Sequence, residues 1–123
     1  MSETIALLIP FLIAVESGGD WSAIGDKGAS RGALQIQRAC WQDGIEELGV
    51  QWDYKTGAHD PAKAKAVCVA YLTRYGRNYK RKTGKEPTAE VLSRMWNGGP
   101  TGYKKKATEK YWQKVSKSME EKP

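Results

Sequence analysis

The sequence predicts a mainly α fold with a small β-hairpin, an α+β arrangement in a single domain spanning residues 1–123. Three observations carry this. Apolar side chains recur at helical spacing in five separate segments. One stretch, Trp21 to Gln35, breaks that rhythm, and its Gly25-Asp26-Lys27-Gly28 core suits a tight turn between two short extended pieces. A chain of 123 residues with 40% hydrophobic and 28% charged residues can bury one core without covalent staples.

The first helix is expected from about Thr4 to Ser17. Ile5, Ile9, Leu12 and Glu16 fall at i, i+4, i+7 and i+11, hence on one face. Pro10 removes one amide from the ladder and should kink the helix or mark the start of its regular part. Gly18-Gly19 stops it. The run Ile5 to Val15 resembles the hydrophobic region of a leader, but only Glu3 is charged before it and no small-x-small site follows. It therefore reads as a buried helix of the mature protein, too short to span a membrane. A second helix is expected over Gln37–Gly49, with Trp41, Ile45 and Leu48 on one face, followed by a loop from Val50 to Ala58. Asp60-Pro61 is a helix start, with Asp as cap and Pro at the first helical position. The central helix should run from there to about Lys82 with an apolar stripe of Ala64, Val67, Cys68, Tyr71, Leu72 and Tyr75. Thr88 caps a helix carrying Val91, Leu92, Met95 and Trp96 that stops at Gly98. There Gly98 in the left-handed conformation and Pro100 as a stop account for a helix end. A last helix spans about Ala107 to Met119, and Glu120 to Pro123 should fray.

The formal net charge of +6 favours polyanionic partners such as nucleic acid, anionic membrane or the acidic polymers of a bacterial wall. The cations cluster late, from Arg74 to Lys85 and from Lys104 to Lys117. The 5 Trp and 6 Tyr against 1 Phe suit sugar stacking as well as cores and interfaces. Two cysteines, Cys40 and Cys68, make no disulfide framework and are expected as free, buried thiols. The single histidine, His59, sits in no metal-ligand spacing, so no metal or cofactor is implied.

Two carboxylates stand out. Glu16 continues an apolar face and lies in the last turn of its helix. Burial and the negative end of the helix dipole both disfavour its ionised form there. A carboxylic acid kept protonated near neutral pH suits general-acid chemistry. Asp26, ten positions on, lies in a turn where a carboxylate is normally solvated and charged. One carboxyl biased toward the acid and one left ionised is the pattern of glycosidase pairs. Taken singly, each also fits a plainer role, Glu16 as a partly exposed helix-end residue and Asp26 as an ordinary turn aspartate.

The segments Glu16-Ser17-Gly18-Gly19, Gly25-Asp26-Lys27-Gly28 and Gly32-Ala33-Leu34-Gln35-Ile36 resemble the active-site segment of the invertebrate-type (destabilase-like) lysozymes. The likeness continues through Trp41-Gln42-Asp43, Cys68 to Tyr75, Ser93 to Pro100 and Thr108 to Trp112, in the family's order. The Glu-Ser and Asn-Gly-Gly-Pro pieces are also similar to soluble lytic transglycosylases. The chain departs from the family in having only two cysteines, in a turn after Asp26 one residue shorter, and in Trp96 where His is common. The resemblance implies a lysozyme-like fold and a muramidase that cleaves the β-1,4 bond between N-acetylmuramic acid and N-acetylglucosamine. Glu16 would be the acid and Asp26 the nucleophile or electrostatic stabiliser. Ser30, Gln35, Tyr71, Trp96, Asn97 and Gly98 are expected to contact substrate. The partner it implies is cell-wall peptidoglycan rather than nucleic acid, met by a monomer without a transmembrane segment. Two rivals stand beside it: a lytic transglycosylase that needs only Glu16 and leaves 1,6-anhydro ends, and a non-catalytic basic module that holds a polymer.

Overall fold

The computed structural model describes residues 1–121. Six α-helices and one two-stranded antiparallel sheet follow in the order α1 (Ser2–Ser17), β1 (Ile24–Gly25), β2 (Ser30–Arg31), α2 (Arg38–Leu48), α3 (Tyr54–Gly57), α4 (Pro61–Thr83), α5 (Ala89–Gly98) and α6 (Glu109–Glu121). Short 3-10 turns lie at Asp26–Gly28, Gly102–Lys104 and Lys106–Thr108. The α+β class read from the sequence is the class observed. The chain divides into two compact units, Glu16–Tyr71 and Met1–Val15 with Leu72–Pro123, the divisions falling within α1 and α4.

In the unit Glu16–Tyr71, Ala33, Leu34, Ile36, Trp41, Tyr54, Val67, Cys68 and Tyr71 are buried. The hairpin pairs Ile24 with Arg31 and Gly25 with Ser30, and an isolated bridge joins Arg31 to Ile36. Trp41 of α2 is 1% exposed and its indole N–H donates to the Trp52 carbonyl at 3.0 Å, which satisfies the one polar atom of a buried ring. Gly44 lies against Val67 so closely that a Cβ there would stand 2.6 Å from Cγ1, so the glycine that weakens α2 is what lets it approach α4. Leu48, expected on the buried face of α2, is 39% exposed, because the helix ends there and Gly49 turns away at φ 70°. The segment expected as a loop from Val50 contains α3, started by Asp53, whose carboxylate accepts from the Thr56 amide at 3.1 Å. α4 begins where the Asp60-Pro61 signal put it, with the Asp60 carboxylate accepting from the Lys63 amide at 3.1 Å.

In the other unit, Ile5, Leu8, Ile9 and Leu12 are the buried face of α1. Pro10 sits inside α1 on its exposed side, and helical structure continues through it. Leu72 of α4, Leu92 and Met95 of α5, and Tyr111 and Val115 of α6 complete the buried apolar set. The Thr88 hydroxyl accepts from the Val91 amide at 3.2 Å, the cap its position predicts. Gly98 is helical, and the positive φ of 87° belongs to Gly99, so the left-handed residue is one position later than the sequence suggested. α6 extends to Glu121, past the expected fraying point, and residues 122 and 123 lie outside the described residues. Among the described residues no helix is long and apolar enough to cross a membrane.

Candidate active site

The hairpin that carries Asp26 is held in an uncommon backbone state. Asp26, Lys27 and Gly28 are successively left-handed, at φ 50°, 57° and 96°, and Gln35 follows at φ 51°. Aspartate tolerates this region, whereas for Lys27 and Gln35 it costs about 1–2 kcal/mol each. Such strain persists only where neighbouring contacts over-determine it, and it concentrates at functional sites. The contacts are present. Ser30 is 2% exposed and its hydroxyl donates to Asp26 Oδ2 at 2.6 Å. The Ala29 amide donates to the Asp26 carbonyl at 3.1 Å. The Gln35 amide and its side-chain Nε2 both donate to the Gly32 carbonyl, at 3.0 and 2.9 Å. A Cβ at Gly25 would meet the Gln35 side-chain oxygen, so Gln35 lies directly against the first strand.

Asp26 itself is exposed and Glu16 is half-buried at the end of α1. The Ser17 hydroxyl donates to the Ala33 carbonyl at 2.8 Å, which ties the turn of α1 bearing Glu16 to the loop bearing Gln35. Beneath Glu16 lies α4. Burial first, and then the charge of Glu16, pushes the Cys68 thiol far above its usual range. Cys40 is raised as well, by burial, then by Cys68 and Asp43. Both cysteines are free thiols, Cys68 buried and Cys40 half-buried. Glu16, Asp26, Ser30, Gln35 and Tyr71 belong to one unit. Tyr71 is 4% exposed and Ser30 more buried still, with its hydroxyl engaged by Asp26. Trp96, Asn97 and Gly98 belong to the other unit, at the end of α5. Asn97 is exposed and Trp96 half-buried. The Gly98 carbonyl accepts from Lys105 Nζ at 2.7 Å.

One residue of this site escaped the sequence reading. Tyr54 of α3 donates its hydroxyl to the Ile36 carbonyl at 2.6 Å and also lies 3.3 Å from the Ala29 carbonyl, touching the chain on either side of β2. Arg38 stacks over its ring at 4.7 Å. The signal was Asp53 with Thr56, a helix start set within an expected loop. His59 binds the Trp21 carbonyl through Nδ1 at 2.8 Å, a structural bond. Among the described residues no cluster of His, Cys, Asp and Glu could hold a metal ion.

This arrangement, a helix-end glutamate tied to a strained hairpin that presents an aspartate, is set in a fold shared with solved lysozymes. Inhibitor-bound lysozyme from Meretrix lusoria superposes with a TM-score of 0.73 at 28% identity, covering 89% of this chain and 86% of that one. Tapes japonica lysozyme gives 0.74 at 27% identity over the same shares. No family model matches the chain. The fold is lysozyme-like. In sequence, Lysozyme 1 of Crassostrea virginica is 35% identical over 98 residues, 80% of this chain and 48% of the relative. The chain thus spans about half the length of the curated relative it matches. The likeness in sequence and in fold supports a place among the lysozyme-like invertebrate proteins.

Proposed function

We propose that this chain is a muramidase, a monomeric glycoside hydrolase in which residues 1–123 form one catalytic domain. It cleaves the β-1,4 bond between N-acetylmuramic acid and N-acetylglucosamine in peptidoglycan. Glu16 protonates the glycosidic oxygen as the C–O bond breaks. Asp26 meets the positive charge that develops at the sugar's anomeric carbon, as nucleophile or as electrostatic partner. A water then completes hydrolysis, with Glu16 acting as base. The observation that carries this reading is the Ser30 hydroxyl on Asp26 Oδ2, set on a left-handed backbone. It fixes one carboxylate oxygen of a residue that is itself exposed. Gln35, Tyr71, Trp96, Asn97 and Gly98 are assigned to substrate placement, with Tyr71 acting from beneath.

The test is Glu16→Gln, which keeps shape and loses the acid proton. Clearing of purified cell wall should fall by at least ~10²-fold while the melting curve is unchanged. A rate above half of wild type would remove Glu16 from the mechanism. Product mass decides between water and an internal hydroxyl as the attacking group: ends lighter by one water mean a lytic transglycosylase. Binding of wall without any turnover in the unaltered protein would leave a polymer-binding module.

A further inference from the structure

A concavity lies wholly within the unit of Met1–Val15 and Leu72–Pro123. Its volume is about 190 Å³. Tyr75, Asn78, Tyr79 and Lys82 of α4 form one wall, and Pro100 and Tyr103, from the segment after α5, form the other. The spacing of the α4 residues is i, i+3, i+4 and i+7, so one face of the helix supplies the whole wall. The opposite wall is pinned to it, because the Tyr79 and Tyr103 rings meet edge to face at 4.9 Å and 89°. Asn78 is half-buried and its Oδ1 accepts from Arg81 at 3.1 Å. Lys104 stands 5.6 Å over the Tyr103 ring. The groove is thus a preformed aromatic slot with an amide on one side and a lysine in its lining.

Size and charge narrow the occupant. Pockets that enclose a drug-sized ligand begin at about 300 Å³. This groove has room for a single ring, one sugar of a strand at a time. Tyrosines with an amide beside them suit the apolar face and hydroxyls of a pyranose. The unit that holds the groove carries 14 Lys and Arg against 6 Asp and Glu, whereas the unit Glu16–Tyr71 carries 6 against 8. A formal excess of +8 surrounds the groove's unit, against −2 for the other. A negative substituent on the ring is therefore favoured over a neutral one. Lys80 is already engaged by Glu86 at 2.6 Å, whereas Lys82 lines the groove.

We infer that this groove is an accessory subsite for a peptide-bearing amino sugar, the ring lying along Tyr79 and Tyr103 and a stem-peptide carboxylate pairing with Lys82. The inference rests on the peptidoglycan reading, and adds a site that selects wall strands by their peptide charge. It is tested on the Glu16→Gln protein, so that turnover plays no part. N-acetylmuramyl-L-alanyl-D-isoglutamine is titrated while the ring signals of Tyr75, Tyr79 and Tyr103 are followed by NMR. Those signals should move together. Lys82→Gln should weaken binding roughly 5-fold, as loss of an exposed charge-assisted hydrogen bond does. The same compound with its carboxyl amidated should bind the Glu16→Gln protein equally with and without Lys82→Gln. No movement of the three tyrosines overturns the subsite, and so does equal affinity of the acid for both proteins. Failure of the hydrolase reading appears separately, as unchanged wall clearing by Glu16→Gln, and would leave the tyrosine shifts in place.

Discussion

At the scale of single residues, Asp26 and Ser30 act as a pair. The 2.6 Å hydrogen bond spans only four positions, so the hairpin itself aims the carboxylate. Asp26→Asn keeps that bond and loses the charge. Activity on cell wall should fall by at least ~10²-fold, the acid limb of the pH–rate profile should shift, and the melting temperature should hold. Ser30→Ala in the same assay should cost ~10-fold, chiefly in kcat, because a carboxylate left free to turn spends less time in the reactive geometry. Retained activity in Asp26→Asn together with anhydro ends on the products would mean that Glu16 works alone. Glu16 stood out in the sequence because a polar residue on an apolar face breaks a local rule, and Asp26, ordinary for a turn, drew notice only as a second carboxylate ten positions on. Tyr54 did not stand out. Its role depends on reaching the Ile36 carbonyl, eighteen positions away, and nothing local to a tyrosine encodes that partner.

At the scale of elements, caps and periods translated well into structure. Asp60-Pro61 and Thr88 started α4 and α5, since capping chemistry lies within four residues of the helix end. The end of α5 was harder, because two adjacent glycines compete for one left-handed position and packing decides between them. Gly98 is chosen for closeness: a Cβ there would stand 2.5 Å from Thr108 Cγ2. Thr108 is 2% exposed and anchors the following segment, donating to the Gly102 carbonyl at 2.7 Å and accepting from Arg94 Nε at 2.8 Å. Gly98→Ala should therefore destabilise by about 1–3 kcal/mol, the usual cost of overpacking. Gly99→Ala should be destabilising for a different reason, since its φ of 87° strains any side chain although nothing lies within 4 Å. Urea denaturation of the two variants, with equal m-values, checks both. A Gly98→Ala protein as stable as wild type would contradict the packing described for Thr108.

At the scale of the whole molecule, the net charge of +6 is unevenly held, and the basic unit carries the α4 cations from Arg74 onward and those of α6. Attraction to an anionic wall should weaken as the screening length falls to about 8 Å at physiological ionic strength. Lysis of whole cells should decline along a salt series in which cleavage of a short neutral chito-oligosaccharide stays level. Parallel decline of both would assign the salt effect to the catalytic step. The cysteines bear on the molecule as a whole in another way. Cys40 and Cys68 are raised by burial, so few of their sulfurs are thiolate at neutral pH. Ellman's reagent at pH 8 should label neither in the native protein and both in guanidinium. A fold that draws nothing from crosslinks is indifferent to the redox poise around it. Added dithiothreitol has nothing to cut at Cys40 and Cys68, so the urea midpoint should be the same with and without it.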